Sequence, residues 1–299
     1  MGIAKNFSGM SITRVEGGAL HLGCRNTIDK MEREHYDILL PYHVDMPWQS
    51  DHVISRRSKA NEKLLDEDGI TTYQSLVGTF NYCAMMVRPE ISTIYSRLST
   101  KQHNPNNFDM EDAIYCAAYL RGTRNTGLLY PLGCETMHVE AYTDANLGDP
   151  YDPMDISRTG VLVNIGGCLV DWSSHKQNTT LTTTRDTEYT ACGDAIKMIH
   201  LLNYMQNTYE LSSYAKRPTP TIHTDNEVML KQLIKGNLPQ VQRLAQFKMP
   251  IVVSAYRDRS VIFYKVHTTE NPSDLLTKPT SRKTFHHLAG MMVANIRVL

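Results

Sequence analysis

The stretch "AYTDANLG", residues 141–148, ends a short strand-like run with an aspartate, Asp144. The stretch "TIHTDNEV", residues 221–228, repeats this arrangement with Asp225. An aspartate at the end of a strand is most often an ordinary turn residue. Two of them, on strands that can lie side by side and run the same way, could instead supply half of a metal site.

The residues around these two stretches predict one mixed sheet with helices packed on it. Three strand-like runs separated by turn residues follow Gly133. A helical pattern over about 184–211 comes next, and then a strand, a helix that ends at Gly236, another strand and a short helix. The order β-β-β-α-β-α-β-α predicts an α/β fold of the mixed α+β kind, with a domain boundary near Cys134.

The residues before this boundary predict a small helical region that opens with a hairpin. Two short runs flank the sequence Glu16-Gly17-Gly18, which is typical of a hairpin turn. A charged amphipathic helix is expected over residues 25–36, and two further helices near 73–87 and 110–123, where apolar residues recur at helical spacing. The simplest interpretation of this region is a helical packing module.

The overall charge gives no general attraction to nucleic acid, because 31 basic residues balance 31 acidic ones. Binding of nucleic acid would need local basic patches, for which the candidates are Ser55–Lys63 and Thr277–Lys283. Taken alone, each of these is more readily an ordinary solvated surface. The six cysteines form no CxxC pair, which argues against a zinc site and favours a reducing compartment. No apolar run approaches the length of a membrane span, so no membrane partner is expected.

Glu188 stands out on the long helix that follows the third strand. It shares one helical face with the small and apolar residues Ala191, Cys192 and Ala195, so this face should lie on the sheet. A carboxylate at the start of a buried face is costly unless something positive meets it. Asp186 should point elsewhere, as an acid in the first turn that the helix dipole favours.

Four acids can therefore converge at one edge of the sheet: Asp144, Asp225, Glu188 and Asp274, the last from the stretch "NPSDLLTKP". Unpaired carboxylates would repel and raise one another's pKa values, and Mg²⁺, which prefers oxygen ligands, would remove that repulsion. Singly, each acid has a structural explanation as a turn residue, a cap neighbour or a helix surface residue. Together they favour a metal-dependent nuclease over coincidence.

The same residues resemble a known family. The blocks similar to the ribonuclease H domain of copia-type LTR retrotransposons are "YTDANLGD", "TGVLVNIGGCLVDWSSHKQ", "DTEYTA", "HTDNEVML" and "NPSDLLTKP". The N-terminal stretch "FSGMSITRVEGGALHL" is similar to the hairpin beyond the polymerase palm of these elements. Two further stretches, residues 73–99 and "AAYLRGTRNTGLLY", are similar to their thumb and connection helices.

The resemblance implies a reverse-transcriptase thumb/connection-like region over residues 1–135 and a ribonuclease H-like domain over 136–299, with an RNase H-like mixed five-stranded sheet. It implies hydrolysis of the RNA strand of an RNA–DNA hybrid with two Mg²⁺ ions, or with Mn²⁺. The metal-binding and catalytic acids that it implies are Asp144, Glu188, Asp225 and Asp274. It also implies a location in a cytoplasmic virus-like particle or in the nucleus.

No Tyr-x-Asp-Asp motif occurs in the chain, so we expect no polymerase activity, and we expect the palm and fingers to belong to a longer polyprotein upstream. The segment "TTTRDTE" departs from the family pattern before the helix, and "FKMPIVVSAYRD" lacks the histidines of many members. His267 could assist a metal-bound water or simply be exposed.

Two other functions remain open at this stage. One is a catalytically idle nucleic-acid-binding remnant of a decayed element, which the neutral charge and the missing palm favour. The other is an integrase of the same fold. It fits less well because its third acid is a glutamate on a late helix, whereas here an acidic block follows the last strand.

Overall fold

A computed structural model of the chain describes residues 4–39, 41, 43–49, 59–133, 136–148, 156–177, 183–208, 217–236 and 247–296. Internal contacts divide the chain into two units. The first comprises Met1–Leu132 together with Ser281–Leu299, and the second comprises Gly133–Thr280. The sequence placed residues 281–299 in the second domain. The division into a thumb/connection-like region and a ribonuclease H-like domain stays a prediction.

The strands within the described residues are β1 Asn6–Phe7, β2 Met10–Arg14, β3 Leu20–Gly23, β4 Thr126–Tyr130, β5 Val139–Asn146, β6 Arg158–Ile165, β7 Cys168–Lys176, β8 Thr221–Thr224, β9 Ile262–Lys265 and β10 Ala294–Asn295. The α-helices are α1 Arg25–Glu34, α2 Glu67–Met86, α3 Ser92–Ser99, α4 Asn107–Gly122, α5 Thr184–Thr208, α6 Glu227–Lys235, α7 Met249–Arg257 and α8 Arg282–Gly290. No helix within these described ranges is both long and apolar enough to cross a membrane.

The first unit contains an antiparallel sheet of order β1-β2-β3-β4-β10. The predicted hairpin is confirmed as β2 and β3, and Gly17 and Gly18 take positive φ angles of 79° and 82° in the turn between them. Strand β4 was not predicted, since the helix expected near residues 110–123 ends before it. Gly127 in β4 lets two backbones approach closely, since a Cβ there would overlap the carbonyl oxygen of Leu22.

The helices of the first unit begin at defined caps. The side chain of Asp66 accepts a hydrogen bond from the backbone N–H of Gly69 at 2.9 Å, and α4 begins with a reciprocal capping box between Asn106 and Asp109. The C-terminal helix α8 packs here through Phe285, whose ring centroid lies 5.1 Å from that of Trp48 and 5.8 Å from that of Tyr119. These aromatic contacts hold residues 282–290 in the first unit.

The second unit contains the predicted mixed five-stranded sheet, with the order β7-β6-β5-β8-β9. The strands β5, β6 and β7 pair antiparallel, whereas β8 runs parallel to β5 and β9 runs parallel to β8. The fold class predicted from the order of elements is therefore confirmed. The long helix is also confirmed over 184–208, and its predicted end at 211 lies outside the described residues.

Helix α5 covers one face of this sheet with the side chains that the periodicity predicted. The core between helix and sheet contains Val139, Ala141, Val161, Val163, Tyr189, Cys192, Ala195, Ile196 and Ile199. All of these are less than 3% exposed. Burial of this apolar face, at about 25 cal/mol per Å², is the main term that holds the helix on the sheet.

Helix α7, Met249–Arg257, was missed in the predicted order of elements. Its core-facing residues Val252, Val253 and Ala255 are buried against α5 and the sheet. The β-branched residues and Pro250 make this segment a weak helix by intrinsic propensity. Pro250 is nevertheless tolerated because it lies in the first turn, where its missing N–H leaves no hydrogen bond unmade.

Candidate metal centre

The first two candidate acids lie at the end of two parallel neighbouring strands. Asp144 belongs to β5, and Asp225 follows β8 directly. The register pairs Thr143 with Thr224, so the residues after them emerge at the same edge of the sheet. Asp144 is only 3% exposed, whereas Asp225 is half-buried and accepts a hydrogen bond from Thr268 Oγ1 at 3.0 Å.

The third acid, Asp274, lies in a 3₁₀ turn over Pro272–Leu276 that is pinned to the strands. The fully buried Asn271 donates from Nδ2 to the carbonyl oxygen of Thr143 at 3.0 Å. Its Oδ1 accepts from Ser273 Oγ at 2.6 Å, which fixes the start of the turn. At the other end, Ser174 Oγ on β7 donates to the carbonyl oxygen of Leu276 at 2.5 Å.

A glycine on the neighbouring strand makes room for this turn. Gly160 on β6 pairs with Asp144. A Cβ atom on Gly160 would lie 2.7 Å from the carbonyl oxygen of Ser273 and 2.8 Å from Thr277 Cγ2. The turn can reach the Asp144 carboxylate because no side chain separates it from the sheet at this point.

The structure brings Asp144, Asp225 and Asp274 together, since one carboxylate oxygen from each lies within 4.8 Å of the others. No other group of this kind occurs among the residues that the structure describes. Glu188 lies beside this group without belonging to it. It is 2% exposed, and its Oε2 has no hydrogen-bond partner among the residues that the structure describes.

The carboxyl of Glu188 is close enough to Asp144 and Asp225 for their charges to affect its pKa. Burial raises its pKa well above the usual range, and the charges of Asp144 and Asp225 raise it further. A hydrogen bond from the backbone of Ala145 and the charge of Lys278 partly oppose this rise in pKa. The role of the four acids in metal binding and catalysis stays a prediction.

Two further residues, Thr277 and Lys278, contact the acids and were missed as site residues. Thr277 is fully buried, and its Oγ1 donates a hydrogen bond to Asp144 Oδ2. The ammonium nitrogen of Lys278 lies 3.4 Å from Asp144 Oδ2 and 3.3 Å from Asp274 Oδ2. The interpretation of Thr277–Lys283 as ordinary solvated surface is therefore wrong for its first two residues. The sequence did contain one indication of the Lys278 contact: Asp274 and Lys278 are four residues apart, a spacing at which side chains on a helical turn are neighbours.

These contacts set the charge balance of the site. Burial raises the pKa of Asp274 to about 8, the Asp144 charge adds to the rise, and Lys278 opposes it. Burial alone would lower the pKa of Lys278, but the charges of Asp144 and Asp274 outweigh burial and raise it. The ammonium group is thus stabilised in its charged form by the acids around it.

The donor set fits a hard divalent cation. The groups that could bind a metal here are all carboxylates, and Mg²⁺ and Mn²⁺ bind such oxygens in preference to nitrogen or sulfur. Two buried oxygens, Glu188 Oε2 and Asp274 Oδ1, have no hydrogen-bond partner within the described part of the chain. A buried carboxylate oxygen without a partner is costly, and a cation would satisfy it.

The remaining predicted candidates lie outside this group. His267 is exposed, and its Nδ1 accepts a hydrogen bond from the backbone N–H of Thr269 at 3.2 Å, so it caps a short 3₁₀ turn. Asp186 is fully buried and forms an ion pair with Arg185 at 3.1 Å. Of the basic stretch Ser55–Lys63, residues 55–58 lie outside the described residues.

Curated relatives of this chain include retrovirus-related Pol polyproteins of transposons. That of transposon RE1 from Arabidopsis thaliana is 28% identical over 285 residues, which are 95% of this chain and 18% of that protein. That of transposon TNT 1-94 from Nicotiana tabacum is 29% identical over 224 residues, which are 73% of this chain and 16% of that protein. The chain therefore spans less than a fifth of the length of these relatives. No protein-family model matches it.

The solved structures to which this chain is similar include LC11-RNase H1 in complex with an RNA/DNA hybrid. It is 17% identical with a TM-score of 0.34, over 46% of this chain and 93% of that one. A foamy viral protease-reverse transcriptase in complex with double-stranded DNA is 18% identical with a TM-score of 0.45, over 88% of this chain and 37% of that one. The plant homologues cover most of the chain and confirm the predicted resemblance to copia-type Pol polyproteins.

Proposed function

We propose that this chain, a homologue of retrotransposon Pol polyproteins, contains a ribonuclease H that hydrolyses the RNA strand of RNA–DNA hybrids with two divalent cations. The proposed site consists of Asp144, Glu188, Asp225 and Asp274. The observation that carries the proposal is the meeting of three carboxylates within 4.8 Å, from positions 144, 225 and 274 of the chain. Two of these carboxylates, those of Asp144 and Asp274, are buried, and holding buried carboxylates close together opposes folding unless something compensates them.

The protein's own groups would hold this site in a fixed geometry. Asp144 lies within the sheet, Glu188 on a helix packed against it, and Asp274 on a turn hydrogen-bonded to two strands. Ligands on rigid elements keep their positions when a substrate binds. Bound Mg²⁺ ions would supply the positive charge that lowers the barrier to attack of water on a phosphodiester.

Asp225 differs from the other three acids in exposure. It is half-buried, whereas Asp144, Glu188 and Asp274 are between 2% and 3% exposed. The open side of the site is therefore the side of Asp225. We propose that the scissile phosphate approaches there, and that contacts to sugar 2′-hydroxyls distinguish the RNA strand from the DNA strand.

The alternative is a catalytically idle remnant that binds nucleic acid. One observation favours it: Lys278 already forms ion pairs with Asp144 and Asp274, so an internal cation meets two of the proposed ligands. Under either proposal the first unit acts as a thumb/connection-like region that contacts a duplex, and polymerisation is not expected. The proposed location is a cytoplasmic virus-like particle or the nucleus.

The deciding experiment measures cleavage of a labelled RNA–DNA hybrid by the purified chain, with and without Mg²⁺ or Mn²⁺. We expect cleavage of the RNA strand only, and none of double-stranded DNA. Asp144→Asn should reduce the rate by more than the ~100-fold that loss of an outer-shell group costs. The matched control Glu140→Gln removes another carboxylate from β5 and should retain activity. Tight hybrid binding without cleavage at any cation concentration would establish the idle remnant instead.

A further inference from the structure

We propose that Lys278 is a positioning residue that serves as the internal counter-ion of the carboxylate site and competes with divalent cations for Asp144 and Asp274. This inference rests on the proposed metal site. It assigns to Lys278 the task of holding the acids together in the cation-free protein. It also means that Lys278 lowers the affinity of the site for divalent cations.

The geometry places the ammonium group between the two acids. Its nitrogen lies 3.4 Å from Asp144 Oδ2 and 3.3 Å from Asp274 Oδ2. Those two side chains are 4% and 3% exposed, so water screens their charges poorly. Among the described residues, no other basic side chain forms an ion pair with either acid.

The competition follows from the atoms involved. Oδ2 of each aspartate is directed at the ammonium group, and a cation that binds between the acids needs oxygens of the same carboxylates. Thr277 also donates to Asp144 Oδ2, but its hydroxyl is neutral and opposes a cation much less. The charge of Lys278, rather than its hydrogen bonds, is therefore what a cation must displace.

Lys278 can leave without unfolding the site. Its side chain is 36% exposed, whereas the acids are buried. A lysine side chain has four flexible methylene groups, so its ammonium can move into water while the backbone stays in place. The backbone at Thr277 and Lys278 is meanwhile held by hydrogen bonds to the carbonyl oxygen of Asp274.

The test compares Lys278→Met, which removes the charge and keeps a long side chain, with Lys278→Arg, which keeps the charge. Binding of Mn²⁺ and of Mg²⁺ to the full chain is measured by isothermal titration calorimetry. Thermal unfolding is measured in EDTA. Lys30→Met removes an exposed lysine of the first unit and controls for overall charge.

We expect Lys278→Met to bind Mn²⁺ roughly tenfold more tightly than the wild type, a typical size for coupling between two sites. Its melting temperature in EDTA should fall, because Asp144 and Asp274 lose their counter-ion. Lys278→Arg should restore the melting temperature and the weaker cation binding. Lys30→Met should match the wild type in both measurements.

Unchanged or weaker cation binding by Lys278→Met would overturn the proposal, even if its melting temperature falls, because a merely structural lysine gives that pattern. In this case the wild type still binds the cation, and the proposed metal site stands. If neither the wild type nor Lys278→Met binds Mn²⁺ or Mg²⁺, the metal site and the competition are both refuted.

Discussion

Gly160 lies directly opposite Asp144 in the β5–β6 pair, and the position of its absent Cβ is filled by the turn that carries Asp274. The two acids come from strands and turns that are distant in sequence. Their meeting depends on a position where the sheet has no side chain. A glycine is therefore needed at position 160 so that the turn carrying Asp274 can approach Asp144.

Gly160→Ala should therefore disturb the site strongly, although it adds only one methyl group. The new Cβ would lie 2.7 Å from a backbone oxygen of Ser273, so the turn must move. We expect a loss of about 1–3 kcal/mol of stability, as for other overpacked positions. Cation binding should weaken by at least the ~10-fold typical of a displaced supporting group. Calorimetry and thermal unfolding measure the two effects.

The control for this variant is Gly78→Ala in α2, where a Cβ meets nothing within 4 Å. It should keep or gain stability, by up to about 1 kcal/mol, because alanine favours helices more than glycine. It should leave cation binding unchanged. Normal cation affinity in Gly160→Ala would mean that the close approach of the turn is not needed to position Asp274.

Glu188→Gln should stabilise the cation-free protein and abolish cleavage. The raised pKa of Glu188 means that its ionised form is less favourable in the folded than in the unfolded chain, so its charge opposes folding at neutral pH. Glutamine keeps the shape and removes the charge. In EDTA at pH 7 we expect a higher melting temperature, by about 2–4 °C for each kcal/mol gained.

Because the pKa of Glu188 is raised in the folded protein, the stabilisation by Glu188→Gln should depend on pH. Below the ordinary carboxyl pKa of 4.5, Glu188 is neutral in both the folded and the unfolded chain, and the advantage of glutamine should vanish. The advantage should grow as the pH rises above that value. A variant that is no more stable than the wild type at pH 7 would show that neighbouring groups already neutralise the Glu188 charge.

Asn271→Ala should release the turn from β5. The variant removes the hydrogen bond to the carbonyl oxygen of Thr143 and the acceptor for Ser273 in a fully buried position. Unpaired buried polar groups cost about 1–3 kcal/mol, so unfolding in urea should occur at a lower concentration. Hybrid cleavage should slow by about 10–100-fold, because Asp274 loses its fixed position.

The comparison variant is Asn125→Ala, which removes an exposed hydrogen bond with Arg25 in the first unit. Its stability should change by less than about 0.5 kcal/mol. Equal rates for Asn271→Ala and the wild type, at a temperature where both are folded, would refute a positioning role for Asn271.

Glu140 lies on β5, the strand that also carries Asp144, but outside the group of acids. Glu140→Gln should lower the stability of the protein by an amount that depends on pH. The hydrogen bond from His223, 3.0 Å away, is the main cause of the lowered pKa of Glu140, and burial opposes it. A lowered carboxyl pKa adds stability above the unfolded value of 4.5, and that stability is lost as the pH falls through the folded value.

The expected loss for Glu140→Gln at pH 7 is about 0.5–1 kcal/mol, typical of a partly exposed pair. The difference from the wild type should shrink as the pH falls below 4.5. Chemical denaturation at a series of pH values measures it. A difference that is constant with pH would assign the effect to packing and not to charge.

Local sequence patterns were sufficient for the elements that carry the proposed ligands. Alternating polarity predicts β5 and β8, and helical spacing predicts the buried face of α5 that begins at Glu188. The order of the predicted strands and helices also predicts the mixed sheet, because few strand arrangements are compatible with that order. Helix α7 and strand β4 escaped prediction, since long-range packing overrides their weak local preferences.

The sequence by itself determined that acidic side chains lie at the ends of two strands and at the start of a buried helix face, because strand and helix periods are local properties of the chain. Only the tertiary structure decided that Thr277 and Lys278 contact Asp144, more than 130 positions away. It also decided that residues 281–299 lie with the first unit. Contacts between segments so far apart depend on packing and on the space left at Gly160, and no local pattern encodes them.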